Sequence, residues 1–238
     1  MQPIPDIIIV GGGLAGCEAA WQAAERGLHV TLYEMRPGIQ TGAHQTGSLA
    51  ELVCSNSLGS NLPDRASGLL KQELSQLGCL LLECAAASAL PAGGALAVDR
   101  AAFSALVSRR IQSHPLITVI RQEVTDVPAS PAIIASGPLT SPALAHSIEQ
   151  LNGLNHLFFF DAIAPIIEAD SIDFSIAYRG SRYGKGESEQ GDYINCPLDR
   201  EQYAALVDAL ASVPPTVAGR ANGWTAAIQP PLSMPGKS

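Results

Sequence analysis

Residues Ile7-Ile-Ile-Val10, followed by Gly11-Gly-Gly-Leu-Ala-Gly16, constrain this chain more than any other stretch. Four consecutive apolar, β-favouring residues are too few for a helix and read as a strand buried on both faces. The glycines at 11, 13 and 16 then match G-x-G-x-x-G. In that pattern the first glycine makes a tight turn and the second lets backbone approach a pyrophosphate. The third lets the next helix pack closely on the strand. An Ala-rich helix is expected from Leu14 to about Arg26, stopped at Gly27. Its N-terminus points N–H groups and the positive end of the helix dipole at the phosphates. His29 to Glu34 reads as a second strand, and Glu34 stands where an acid bonds an adenosine ribose. A loop that merely turns a strand into a helix does not require all these parts in this order. The stretch predicts a dinucleotide-binding βαβ unit, with Gly11, Gly12, Gly13, Leu14, Ala15, Gly16 and Glu34 holding the cofactor.

The 238 residues suffice for one large domain or two small ones, and 47% hydrophobic with 15% charged residues describes an ordinary globular protein. Nothing before Asp6 is basic and no apolar run approaches a membrane span, so neither a signal peptide nor a transmembrane helix is expected. Five cysteines (17, 54, 79, 84, 196), odd in number and without a C-x-x-C pair, suggest free thiols in a reducing cytoplasm. They suggest neither a disulfide frame nor a zinc site. A net charge of −8 argues against wholesale electrostatic binding of nucleic acid and leaves room for a local basic patch, of which Arg179, Arg182 and Lys185 form the densest.

Met35 to about Arg65 runs through Gly, Ser, Thr, Asn and Pro without convincing periodicity. So long a loop in a compact domain is functional or disordered. An extended segment lying along a cofactor is the functional form, and it favours a flavin over a nicotinamide. Ser67 to about Leu77 predicts a helix with Leu69, Leu70, Leu74 and Leu77 on one stripe and Gly78 as its stop. Leu80-Leu-Leu82 reads as a strand and Pro91 to Gly94 as a turn. Asp99 is placed as the N-cap of a helix from Arg100 to Gln112 with Phe103, Leu106, Val107 and Ile111 inward. Further strands are expected at Leu116–Val124 and Pro131–Ile134, the second ending in a glycine turn at 137 that suits another approach of backbone to cofactor. A short helix from about Ser141 to Leu151 and an apolar run at 157–160 follow. The tail from Val213 carries the pairs Pro214-Pro215 and Pro230-Pro231 and little apolar periodicity, so it does not read as folded domain.

Cys54, in Glu51-Leu-Val-Cys-Ser-Asn-Ser57, has two readings of equal weight: a small buried hydrophobe, or a reactive thiol beside the cofactor. Cys17 is expected to pack on the sheet, Cys79 and Cys84 to be core, and Cys196 is ambiguous. His44 is either a polar contact to cofactor or substrate, or a solvated loop residue. His114 reads as a helix-end residue without a catalytic role. The Arg179, Arg182, Lys185 cluster could contact phosphates, but a charge run is more often a solvated face, and only its interleaving with Tyr178 and Tyr183 raises the functional reading.

These residues resemble the folate- and flavin-dependent tRNA (uracil-5-)-methyltransferases, relatives of the larger tRNA wobble-uridine flavoproteins. The matching stretches are residues 10–20, Leu32-Tyr-Glu-Met-Arg-Pro37, Ala50-Glu-Leu-Val-Cys-Ser-Asn-Ser57, Pro91 to Arg100, Ala135 to Ser141, Phe160 to Pro165, Ser181 to Gly186 and Asp192-Tyr-Ile-Asn-Cys-Pro197. They spread from Ile7 to about Leu210, and the longer ones are specific to this family.

The resemblance implies FAD on the Gly11–Gly16 loop with Glu34 at the ribose, 5,10-methylenetetrahydrofolate as carbon donor, NADPH or NADH as electron source, and a T-loop uridine of tRNA as acceptor. No membrane and no metal are expected from the residues themselves. Uracil C5 is a poor nucleophile until a thiolate adds at C6, and the transferred carbon arrives at the formaldehyde level, so two further electrons are needed to make a methyl group. A thiol beside the flavin is what this chemistry demands, and Cys54 matches the family's flavin-side cysteine. It leaves two roles open, attack on the uracil or assistance at the flavin. The base must be unstacked to react, so tRNA is gripped outside the pocket as well.

The expected fold is α/β. A Rossmann-like FAD-binding domain (residues 1–137) is followed by a smaller α+β insertion domain (138–212) and an irregular tail (213–238) that departs from the family. The tail lacks the family's second cysteine in a Phe-Glu-Gly-Cys context and its long C-terminal half, so the chain is expected to be impaired or inactive alone. The rivals are a non-catalytic fragment of that enzyme and a flavin oxidoreductase of a small metabolite.

Overall fold

The computed structural model of the chain describes residues 5–153, 169–181, 191 and 193–212. The apolar run at 157–160, Arg182, Lys185 and the tail from 213 lie outside them.

The chain folds as expected at its start. Strand β1 (Ile7–Val10) leads through the glycine loop into helix α1 (Leu14–Ala24), which returns to β2 (Val30–Tyr33). The helix ends at Glu25, and Gly27 takes φ 86°, the left-handed turn that only glycine adopts without strain. β1 and β2 pair in parallel, Ile7 opposite Val30 and Val10 opposite Tyr33. β6 (Ile117–Ile120) adds to the far side of β2 and β7 (Ala132–Ile134) to the far side of β1, both parallel, so the strand order is β6-β2-β1-β7. Strand order reverses at β1, with β2 on one side and β7 on the other. At such a point the loops beyond the strand ends diverge and leave a crevice.

Helix α4 (Arg100–Ser113) connects into β6. Its N-cap is Asp99, whose Oδ1 accepts the Ala102 amide at 2.9 Å, and it buries Phe103, Val107 and Ile111 completely. Those side chains join Ile9, Leu32, Cys17 and Ala20 in one core. Leu106, expected inward with them, is only partly buried.

Between β2 and α4 the chain inserts a second, antiparallel sheet of order β3-β5-β4, made by Ser57–Ser60 (β3), Ala89–Leu90 (β4) and Ala95–Val98 (β5). β3 lies inside the stretch expected as loop. Its Ser-Leu-Gly-Ser sequence carries no strand signal, and pairing with β5 creates the strand. Helix α2 (Ala66–Gln76) matches expectation in extent, yet Leu69, Leu70 and Leu77 are half or more exposed.

Leu80-Leu-Leu82 is a correction. It opens helix α3 (Leu80–Ala87), not a strand. Three apolar residues fit either element, and the Glu-Cys-Ala-Ala-Ala that follows is good helix-forming sequence. A distant side chain completes the choice. The Glu18 carboxylate on α1 accepts the amides of Leu80 at 3.2 Å and Leu81 at 3.0 Å, capping α3 from across the core.

Past β7 come a 3-10 turn at Gly137–Leu139 and helix α5 (Pro142–Asn152), capped by Ser141 and stopped at Gly153 with φ 65°. β8 (Tyr178–Gly180) and β9 (Tyr193–Asn195) form an antiparallel hairpin, and α6 (Arg200–Ser212) follows. The Tyr193 hydroxyl ties the hairpin to the Ala92 carbonyl at 2.9 Å. Among the described residues no helix is long and apolar enough to cross a membrane.

Candidate functional site

A cavity of about 290 Å³ opens where β1, β2 and β7 end. Gly11, Gly12, Gly13, Leu14, Ala15 and Glu34 line it, as the sequence predicts, together with the 135–141 segment after β7. Gly16 does not line it. Its place is underneath, where a Cβ would stand 1.8 Å from the Gly11 carbonyl oxygen, so glycine there is a condition of packing α1 against the loop. Gly11 has φ 108°, and a Cβ on it would stand 2.5 Å from the Ala135 oxygen. Gly13 is the opposite case. A Cβ on it would meet nothing within 4 Å, leaving open space on the cavity side at the head of α1. The residues present fit a dinucleotide: a bare backbone cradle at Gly13, and first-turn amides of α1 that have no acceptor within their own helix.

Glu34 is 6% exposed at the end of β2. Its Oε2 accepts the Gly12 amide at 3.0 Å and Arg36 Nη2 at 3.1 Å, and its Oε1 accepts the Arg36 amide and Arg36 Nε, each at 2.9 Å. Four hydrogen bonds fill the usual acceptor positions of a carboxylate. A ribose hydroxyl taken up here therefore shares or replaces an Arg36 N–H. Burial pushes the Glu34 carboxyl up, but the bonds from Arg36 and Gly12 outweigh it and hold the group below the ordinary glutamate range.

Arg36 gave no signal in the sequence beyond its spacing: residues 34 and 36 share one side of an extended chain. It is 2% exposed and reaches both Glu34 and Glu51, the latter through Nη1 at 2.9 Å. Arg121, at the end of β6, donates to the Arg36 carbonyl at 3.1 Å.

His44 lies in the cavity wall, with its Nδ1 2.7 Å from the Thr41 hydroxyl. Val53 also lines the cavity, and Cys54 follows it, exposed to solvent. The buried-hydrophobe reading of Cys54 therefore fails. Cys17, expected to pack on the sheet, is fully buried in the core with Ile9 and Leu32, and its thiol donates to the Gly12 carbonyl of the loop at 3.3 Å. Burial first, then the Glu34 charge, push that thiol up to about 12, which keeps it protonated. Cys84 is buried, Cys79 half-buried at the head of α3, and Cys196 exposed. His114 is the C-cap of α4, its ring edge-on to Trp21. Arg179 is exposed over the Phe174 ring at 5.8 Å.

With this geometry the family comparison is decisive. The family model described as "Glucose inhibited division protein A" matches residues 6–214. The chain belongs to the GidA family. Among curated relatives, a "Methylenetetrahydrofolate--tRNA-(uracil-5-)-methyltransferase TrmFO" of Rubrobacter xylanophilus is 57% identical over 209 residues, covering 88% of this chain and 46% of that protein. Proteins of the same name from Moorella thermoacetica and Syntrophotalea carbinolica are 55% and 58% identical, with 47% and 44% of their lengths covered. This GidA-family chain thus spans about half the length of the curated relatives it matches. A solved structure of Aquifex aeolicus GidA aligns with TM-score 0.43 and 17% identity over 53% of this chain and 21% of that one.

Proposed function

We propose that this chain is the FAD-binding portion of a cytoplasmic, folate-dependent tRNA (uracil-5-)-methyltransferase. The observation that carries the reading is the cavity over the glycine loop, open at Gly13 and closed by Glu34, in a chain more than half identical to proteins bearing that name. In this reading the Gly11–Ala15 backbone and the head of α1 hold the diphosphate, Glu34 takes the ribose, and residues 135–141 close the opposite side. Residues 1–137 form the cofactor domain and 138–212 a smaller insertion. The bound flavin, re-reduced by NADPH or NADH, would supply the two electrons that take a formaldehyde-level carbon to a methyl group. Cys54 is the thiol of the reaction: exposed, and one residue from the cavity wall. The acceptor is a T-loop uridine of tRNA, and the carbon donor is 5,10-methylenetetrahydrofolate.

The visible absorption spectrum of the 238-residue protein, with FAD added if it is colourless, is the first test. Flavin bands that co-elute in gel filtration support the reading, and a protein that never retains FAD sinks its cofactor part. Methylation of a T-loop uridine transcript is then measured with this chain alone and with the relatives' remaining length supplied. Activity in either case that Cys54→Ala abolishes supports the assignment. Nicotinamide oxidation indifferent to tRNA and folate would replace it with a small-metabolite oxidoreductase.

A further inference from the structure

Glu51 stands outside the cavity wall, yet it gathers the segment that joins two residues of that wall, His44 and Val53. Its Oε1 accepts the Gln45 amide at 2.9 Å. Its Oε2 accepts the Thr46 hydroxyl at 2.7 Å, the Thr46 amide at 3.2 Å and Arg36 Nη1 at 2.9 Å. The same Arg36 nitrogen donates to the Thr46 carbonyl at 3.2 Å. Residues 45–51 are thereby folded over one carboxylate, and Arg36 joins that carboxylate to Glu34. The segment also presses on the glycine loop. The Ala50 amide donates to the Gly12 carbonyl at 2.8 Å, with Ala50 itself at φ 51°, and fully buried Leu49 lies where a Cβ on Gly12 would fall, 2.6 Å from its Cδ2. His44 on one side of this fold and Val53 on the other are cavity residues, and Cys54 follows.

We propose that Glu51, acting through Arg36, is a positioning residue for the nucleotide cavity: it latches residues 45–51 onto the glycine loop and so sets His44, Val53 and Cys54 relative to the bound dinucleotide. This rests on the dinucleotide reading above. An Arg fork between two carboxylates suits the task, because its planar donors bind both at fixed angles where a lysine would bind as a point charge. Side chains that hold others in place in this way alter ligand binding without touching the ligand.

Amide hydrogen exchange of the 238-residue protein, run without cofactor, reads the latch directly. In Glu51→Gln, exchange at residues 45–50 rises while the amides of β1, β2 and α4 keep their protection. Flavin titration of the same variant shows an FAD dissociation constant raised about tenfold, with Arg36→Lys intermediate and the Glu51→Gln, Arg36→Lys double variant less than additive. Thr46→Val removes the hydroxyl that donates to Glu51 and also accepts the Ser48 amide; read at residues 45–47, it gives a smaller change in the same direction and carries the test should Glu51→Gln not fold. Unchanged exchange in both Glu51→Gln and Thr46→Val overturns the proposal. Raised exchange with unaltered FAD affinity overturns its positioning part. Raised exchange in a protein whose wild type binds no FAD upholds the latch and overturns the dinucleotide reading instead.

Discussion

Gly13 and Gly16 lie three residues apart in one motif and answer to different demands. Gly16→Ala would place a methyl group 1.8 Å from the Gly11 oxygen. Relieving that overlap means moving α1 off the sheet, a cost of about 2–3 kcal/mol by the behaviour of overpacked cores, read as a lower denaturation midpoint. Gly13→Ala meets nothing within 4 Å, so it should cost under about 1 kcal/mol, mostly at the helix cap, and yet abolish FAD retention by filling the cradle. Equal losses of stability in the two variants would refute the division of roles. Glu34 adds a pH signature. Its folded carboxyl titrates below the ordinary value of about 4.5, so as pH falls the unfolded chain takes up its proton first. The stability it contributes is complete above that value and is lost as pH drops through the lowered folded one. Melting temperatures from pH 6 down to 3 should fall less steeply in Glu34→Gln than in wild type, with a residual slope from Glu51, whose carboxyl is lowered as well. The glycines were legible because backbone geometry demands them at those spacings, and Glu34 because the motif ends its second strand in an acid. Arg36 and Glu51 were not, since a loop sequence does not reveal which of its charges are buried together.

At the scale of elements, α3 shows how a neighbour decides between two local choices. Glu18→Ala removes the cap that α1 lends to Leu80 and Leu81. It should cost about 0.5–2 kcal/mol, with hydrogen exchange rising first in residues 80–87. An unchanged denaturation midpoint would mean the cap contributes nothing. α2 makes the complementary point. Its leucine stripe predicts a helix correctly but not what the stripe faces, and Leu69 and Leu77 stand 50% and 69% exposed. Replacing both by lysine should change stability by less than about 0.5 kcal/mol per site and reduce self-association in light scattering.

For the whole molecule, the order β6-β2-β1-β7 puts the glycine loop, Glu34 and the Ala135–Ser141 segment around one crevice although the last lies more than a hundred residues from the other two in sequence. A ligand that binds only this assembled arrangement must stabilise it. FAD at a hundred times its dissociation constant adds about 2.7 kcal/mol, or about 5–10 °C in melting temperature for a chain of this size. No shift at saturating FAD would exclude the cavity as a dinucleotide site.

The sequence by itself determined the βαβ unit, its glycines, its acid, the α4 cap at Asp99 and the family resemblance. The first four follow from local rules of backbone conformation, periodicity and spacing that act within a few turns of chain, and the resemblance rests on the longer matching stretches. Only the tertiary structure decided that Leu80 begins a helix, that residues 57–60 pair as a strand and that Leu69 and Leu77 face outward. It also decided that Glu34 is held by Arg36 and through it joined to Glu51. These outcomes depend on partners distant in sequence: a carboxylate from another helix, a strand to pair with, and burial that forces charges to find one another.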